Sequence, residues 1–304
     1  MSITGSDVWE SISNHAAATA EQVGKAVVAV DGGHRVAASG VHWKPGIIVT
    51  ASHLVRGATE VRVILAEGTT VGKVAGRDST TDLAAVRIDD AKLPVLPRAA
   101  GADVGELVLG VARSGRGELS ASAGIVARIG GAWRTWRGGQ IDRLLRPDIR
   151  LYPGQSGSAL VNGRGELLGI NSAVLARQSV ITVPNETVDR VANELLERGH
   201  VAQPYLGIAM QSVLLPEEWR SGAAPDQEHG LLVVHVVPDA PAKQAGIGIG
   251  DVIVSADGQP VSGPQQLHGY LTQKRTGEKL TLRVLRGGKV TEVEVTLGDR
   301  PRRA

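Results

Sequence analysis

Apolar, β-branched runs recur from Lys25 to Val183 at intervals of about 8 to 14 residues, and this rhythm limits the fold more than any other feature. The first series reads KAVVAV, RVAASGVHW, GIIVTA, TEVRVIL, TVGKVAG and DLAAVRI, and the second reads ELVLGVA, LSASAGIVARI, SALVN, ELLGINSAV and SVITV. Connections this short, rich in Gly, Asp and Thr, join antiparallel neighbours, because a parallel crossover needs a dozen residues or more. Two such series suit two small barrels. Composition agrees: with no Phe, three Tyr and five Trp, the apolar content is carried by Val, Leu, Ile and Ala. Val and Ile favour strands, and 39 Gly and 14 Pro provide many turns.

Three further segments complete the chain. Residues 1–24 read as a helical segment with Trp9, Ile12 and Val23 as apolar anchors. In VPNETVDRVANELLERGH, Val188, Val191, Ala192, Leu195 and Leu196 form one helical stripe, with Pro184 near its start and Gly199 past its end. That helix closes a body spanning residues 25–201. Residues 202–298 form a second module of strands and short helices, with LLPEEWRSGAAPDQEHG as a surface loop, and 299–304 are a basic tail.

Several classes of function are excluded or weakened. The absence of Cys removes disulfides, thiolate chemistry and Cys-based metal sites, and the eight His show no metal-ligand spacing; neither a metal nor another cofactor is expected. With 33 basic and 31 acidic residues, the net charge of +2 gives no general reason to expect nucleic acid. Locally, eight Arg lie between Arg113 and Arg150, with Trp133 and Trp136 among them in GGAWRTWRGG. Such a segment could stack on an anion or a single strand, but a solvated mobile loop is the simpler reading. The longest strongly apolar run, GLLVVHVV, falls short of the ~20 residues that span a bilayer. The first twenty residues lack the apolar core of a signal peptide. This reads as a soluble chain, cytoplasmic if it is complete.

The chemistry gathers at three places. In YPGQSGSAL, Ser156 lies between glycines at a tight bend before an apolar strand. Glycines allow a strained turn, and a serine there with free N–H groups beside it can act as a nucleophile next to an oxyanion hole. Such a serine needs a base and an orienting carboxylate. His53 follows the apolar run GIIVTAS, at the mouth of a buried strand, and Asp82 opens the strand LAAVRI. Taken alone, the first suits a structural histidine and the second a turn aspartate. Together they occur in the order His, Asp, Ser, two in the first strand series and one in the second, as a cleft between two barrels requires. The α/β-hydrolase elbow does not fit, since Ser158 stands at the fifth position of its motif and a strand, not a helix, follows.

IVTASHLV, TDLAAVRI, GQSGSALVNGRGELLGINSAV and the later YLGI…AGIGIGDVIVSADGQPV occur in the order found in the HtrA family, and the chain resembles those trypsin-like serine proteases over residues 26–298. The resemblance implies a mainly β fold, with a double β-barrel protease domain, one PDZ domain and a short N-terminal helix. It implies His53 as general base and then acid, Asp82 as its orienting partner and Ser156 as nucleophile, with the N–H groups of Gly154 and Ser156 forming the oxyanion hole. In the PDZ-like module it implies that Tyr205, Leu206, Gly207 and Ile208 form a loop receiving a peptide C-terminus, with Leu267, Tyr270 and Leu271 lining its side-chain pocket. The expected activity is ATP-independent cleavage of unfolded or damaged proteins by a homotrimer, periplasmic if an export segment has been removed. The sequence departs from the family at Pro153, at Ser158 and in Val180–Pro184, where an aliphatic wall for the P1 side chain is expected. A rival reading is a catalytically silent scaffold or holdase-like protein that only binds peptides.

Overall fold

The computed structural model describes residues 5–89, 92–176, 179–217, 219–220 and 227–300. The basic tail from 301 and much of the insert expected as a surface loop lie outside the described residues. The chain divides into two compact units, Met1–Val201 and Ala202–Ala304.

In the first unit, β1 (Val27–Asp31), β2 (Ala38–Lys44), β3 (Ile47–Ala51), β4 (Glu60–Ile64), β5 (Thr69–Asp78) and β6 (Leu83–Ile88) close into a barrel in the order β1-β2-β3-β6-β5-β4. A second barrel contains β7 (Leu107–Arg113), β8 (Leu119–Gly130), β11 (Leu144–Pro147), β12 (Ala159–Asn162), β13 (Leu167–Ser172) and β14 (Ile181–Pro184), ordered β11-β14-β13-β12-β7-β8. Their sequences run apolar without alternation because many strands are covered on both faces. Val28, Val30, Ile48, Ala84 and Val86 fill the first barrel. Their neighbours Val27, Val49 and Ala85 point the other way, into a joint core with Val111, Ala159, Val161, Ile170 and Val183 of the second barrel. Burying each Val or Ile in this joint contributes about 1.5–3 kcal/mol. It also locks two barrels that carry different parts of the site.

Helix α2 (Asn185–Arg198) buries Val188, Val191, Ala192 and Leu195 in the same core and ends on Gly199, which is left-handed at φ 75°. Helix α1 (Gly5–Gly24) departs from expectation. Val23 is buried, but Trp9 is 74% exposed and Ile12 is exposed as well, so neither anchors the helix on its own unit.

The segment expected as a mobile loop also differs. Trp133–Arg134 (β9) pairs with Gln140–Ile141 (β10), and Thr135, buried at the turn of this ribbon, donates from Oγ1 to Thr80 O at 2.7 Å. A short β-ribbon anchored at its bend has replaced the solvated loop, because its turn hydroxyl finds a backbone acceptor.

The second unit is a sheet ordered β16 (Ile208–Leu214), β17 (His229–Val236), β18 (Val252–Ala256), β20 (Lys279–Arg286) and β21 (Lys289–Thr296); the short β19 (Gln259–Pro260) pairs with β18. Leu231, Val233, Ile253, Leu280 and Leu282 pack under the helix Pro264–Gln273, whose Leu267 and Leu271 are buried with them. β16 ends the strand order. Within the insert, Leu215 is buried and Trp219 packs against its cluster, so the start of that segment belongs to the core.

Candidate active site

Strand register brings the first two site residues together. β3 pairs with β6 so that Ala51 faces Leu83, and the chain beyond each strand end meets the other: Ser52 N–H donates to Asp82 O at 3.0 Å. His53 sits in a single 3₁₀ turn, Ser52–Leu54, that stops the strand and turns the imidazole outward from the barrel end. Asp82 is left-handed, with φ 58°. That conformation disfavours most side chains but is tolerated by Asp.

The strain at Asp82 is held by the turn before it. Asp78, itself buried, accepts hydrogen bonds from Thr80 N–H at 2.9 Å, Thr80 Oγ1 at 2.7 Å, Thr81 N–H at 3.1 Å and Thr81 Oγ1 at 2.6 Å. A buried carboxylate satisfied this fully fixes the short loop rigidly.

The Asp82 carboxylate is 3% exposed and saturated with donors. It receives the His53 backbone N–H at 3.0 Å, sits 2.9 and 3.0 Å from His53 Nδ1, and accepts Ser172 Oγ–H at 2.7 Å. A carboxylate against Nδ1 selects the tautomer with its proton there, which leaves the Nε2 lone pair free to accept one. The imidazole remains 24% exposed, open to a substrate.

Ser156 comes from the second barrel, on a turn whose two glycines have left-handed backbone at φ 89° (Gly154) and φ 90° (Gly157). Gly157 is required sterically too: a Cβ there would fall 2.0 Å from Ser39 O. The turn is stitched to β13 by Gly157 N–H donating to Asn171 O at 2.8 Å and Asn171 N–H donating to Ser158 O at 2.9 Å. Ser158, one of the departures in sequence, is fully buried and its Oγ accepts from Asn171 Nδ2 at 3.1 Å, while Thr182 donates to Asn171 Oδ1 at 2.7 Å. Ile181 and Val183, expected in the P1 wall, are committed to the joint core on either side of Thr182.

Three consecutive residues of β13 and its extension therefore reach both the Ser156 turn and Asp82. Asn171 holds the turn, Ser172 holds Asp82, and Ala173 N–H donates to Ser156 Oγ at 3.2 Å. No hydrogen bond joins Ser156 Oγ to His53 among the described residues. The N–H groups of Gly154 and Ser156 have no protein acceptor among them either. Sequence reasoning passed over Ser172. Its signal was a hydroxyl ending the otherwise apolar run LLGIN, where a buried polar side chain needs a partner.

In the second unit, Tyr205, half-buried, pairs with Gly298, and the chain then turns through Leu206 and Gly207 into β16. Leu206 O accepts Ala242 N–H at 2.9 Å and Gly207 O accepts Val237 N–H at 2.8 Å, while the N–H groups of Leu206 and Gly207 have no acceptor among the described residues. Gly207 has φ 79°, and a Cβ on it would lie 2.1 Å from Ala240 Cβ. Leu206, Leu267 and Leu271 share one buried cluster against which Ile208 and Tyr270 pack. The loop and the helix expected to flank a peptide are therefore neighbours, with β16 at the end of the sheet.

This is the fold of a trypsin-like peptidase body joined to a PDZ module. The profile described as "Trypsin-like peptidase domain" matches residues 38–170, and that described as "PDZ domain" matches residues 204–297. The chain is 34% identical over 260 residues to the putative serine protease HhoA of Synechocystis, covering 80% of this chain and 66% of that one. It is 33% identical over 264 residues to a probable periplasmic serine endoprotease, DegP-like, of Pseudomonas savastanoi, covering 84% of this chain and 54% of that one. Among solved structures, the HtrA-type protease AlgW with a decapeptide superposes with a TM-score of 0.67 at 25% identity, covering 94% of this chain and 99% of that chain. The chain belongs to the HtrA family of serine proteases. It spans 54% to 66% of the length of these two curated relatives.

Proposed function

We propose that the chain is a serine endopeptidase that cleaves unfolded or damaged proteins without ATP, governed by peptides that bind its PDZ module. The observation that carries this reading is the pair of adjacent contacts from β13: Ser172 Oγ on the Asp82 carboxylate and Ala173 N–H on Ser156 Oγ. They bind the nucleophile of one barrel and the carboxylate of the other to a single rigid strand.

In this mechanism neutral His53 accepts the Ser156 proton at Nε2 as Oγ attacks the peptide carbonyl. Asp82 keeps the ring oriented and stabilises the imidazolium. The N–H groups of Gly154 and Ser156 take up the oxyanion, and each such donor accounts for roughly 10²–10³ in rate. His53 then protonates the leaving amine, and water repeats the sequence on the acyl-enzyme.

The test is labelling by a fluorophosphonate together with cleavage of casein. Label on Ser156 that disappears in Ser156→Ala is the expected result; absence of both label and cleavage in the wild type removes the peptidase reading. A second reading, a silent peptide-binding scaffold, draws on the lack of a Ser156–His53 hydrogen bond among the described residues, and it gains from that negative outcome. At the second module, the unpartnered N–H groups of Leu206 and Gly207 support capture of a peptide carboxylate, with the peptide adding as a strand to β16.

No helix among the described residues is long and apolar enough to cross a membrane. We propose a periplasmic location, a reading supported by the name of the DegP-like relative. Fractionation of cells producing the native gene product checks this, and recovery in the cytosol alone would refute it.

A further inference from the structure

The turn that carries Ser156 consists of successive peptide units that the structure holds unequally. The unit between Gly154 and Gln155 is bonded at both ends: Ser39 Oγ lies 3.2 Å from Gly154 O as donor, and Gln155 N–H donates to Tyr152 O at 3.0 Å. So is the unit between Ser156 and Gly157, with Ser39 N–H donating to Ser156 O at 3.0 Å and Gly157 N–H to Asn171 O at 2.8 Å. The units alternating with these carry the unpartnered N–H groups of Gly154 and Ser156. A planar peptide fixed at both ends restricts the dihedrals that flank it. The Ser156 N–H is flanked on both sides by bonded units and its aim follows from them, whereas the Gly154 N–H is bounded on one side only; one residue, Ser39, contributes a bond to each bonded unit.

The Ser39 hydroxyl is itself prepared for this task. The residue is fully buried, and its Oγ accepts Arg113 N–H at 3.1 Å, which directs its single proton toward the carbonyls of Gly154 and Arg113, the latter at 3.1 Å. Arg113 is immobilised in turn, donating from Nε to Val27 O at 2.7 Å, from Nη1 to Gly117 O at 2.7 Å and from Nη2 to Gly24 O at 2.6 Å. Thr50 Oγ1 donates to Ser39 O, a bond that touches neither turn carbonyl. Nothing in this frame depends on substrate.

We propose that Ser39 is a positioning residue for the oxyanion hole: by holding the carbonyls of Gly154 and Ser156 from the first barrel, it presents the intervening Ser156 N–H to the developing oxyanion. This rests on the peptidase reading above. Losing a whole oxyanion donor costs roughly 10²–10³ in rate, so misaiming it through Ser39 should cost about tenfold.

The experiment measures casein cleavage and fluorophosphonate labelling at Ser156, separating the maximal labelling rate from the half-saturating concentration. Ser39→Ala is expected to lower kcat and the maximal labelling rate about tenfold, with KM and half-saturation within about twofold. Thr50→Val removes a different buried hydrogen bond to the same residue while both turn carbonyls stay engaged. It should keep the labelling rate within about twofold while lowering Tm. Should Ser39→Ala not fold, Ser39→Cys, similar in shape with a weaker donor, should show the same split at smaller size. An unchanged labelling rate in these Ser39 variants, an equal loss in Thr50→Val, or a loss confined to KM overturns the proposal alone. A wild type that never labels overturns the peptidase reading, and this proposal with it.

Discussion

Asp82 shows how much one residue's environment decides. It lies in left-handed backbone, braced by the Asp78 turn, and receives three different donors. Asp82→Asn retains the shape and the left-handed tolerance but offers an amide to Nδ1, which favours the wrong tautomer. A fall in kcat of about 10⁴ is expected with the protein still folded, checked by steady-state cleavage and circular dichroism. Near-wild-type turnover would remove Asp82 from the mechanism. His53, Asp82 and Ser156 were legible in sequence because each stands in a local signature: a histidine after an apolar strand, an aspartate before one, a serine between glycines. Ser39 and Ser172 were not. Each is a common residue in an ordinary strand, and its partner is created by register between segments more than seventy residues apart in the chain, which no local pattern records.

At the scale of elements, the barrels and α2 were legible because burial repeats with a fixed period, and the exceptions lie where burial needs a partner from elsewhere. Helix α1 has the apolar residues of an anchored helix, yet Val8, Trp9 and Ile12 face away from the core. We propose that they form a contact between subunits of a homotrimer. Sedimentation of the wild type as a trimer and of Trp9→Glu as a smaller species is the expected outcome; a monomeric wild type would end the idea. The ribbon Trp133–Ile141 was misread because its anchor, Thr80 O, lies far away in sequence.

In the second unit, the buried carboxylate of Asp251, at the start of β18, faces a two-pronged contact from Arg286, Nε to Oδ1 at 2.8 Å and Nη2 to Oδ2 at 2.7 Å. Burial pulls the Asp251 carboxyl upward, but the Arg286 hydrogen bonds, the Gly248 N–H and the Arg286 charge together outweigh it and hold the group below the usual carboxylate range. Its folded value is lowered, so its contribution is complete above the ordinary value of 3.8 and is lost as pH falls through the folded one. Asp251→Asn should therefore weaken protection of β18 amides against hydrogen exchange by about 1–2 kcal/mol at neutral pH. The gap between variant and wild type should narrow below about pH 4. A gap unchanged at acid pH would show that charge is not what matters there.

For the whole molecule the question is how the proposed protease for unfolded chains would spare folded ones. The peptide unit between Pro153 and Gly154 is the part of the Ser156 turn with no hydrogen bond at either end among the described residues, so an active and a misaimed oxyanion hole can differ by its rotation alone. Glycine at 154 leaves that rotation open. A resting state biased toward the misaimed form would be silent until something shifts the balance, and a ligand shifts it only by the difference in its affinity for the two states. We propose the loop Tyr205–Ile208 as the receptor for such a ligand. A peptide with an apolar last residue and a free carboxylate should raise kcat/KM on casein by ~5–150-fold, the range that typical coupling energies allow. The same peptide with its C-terminus amidated should bind weakly and stimulate little, because the free N–H groups of Leu206 and Gly207 lose their anion. Gly207→Val should lose the stimulation as well, since its Cβ collides with Ala240. Calorimetry on the same samples separates binding from coupling. If the free peptide binds and casein cleavage does not change, the module is a tether, and regulation of the Ser156 turn must come from elsewhere.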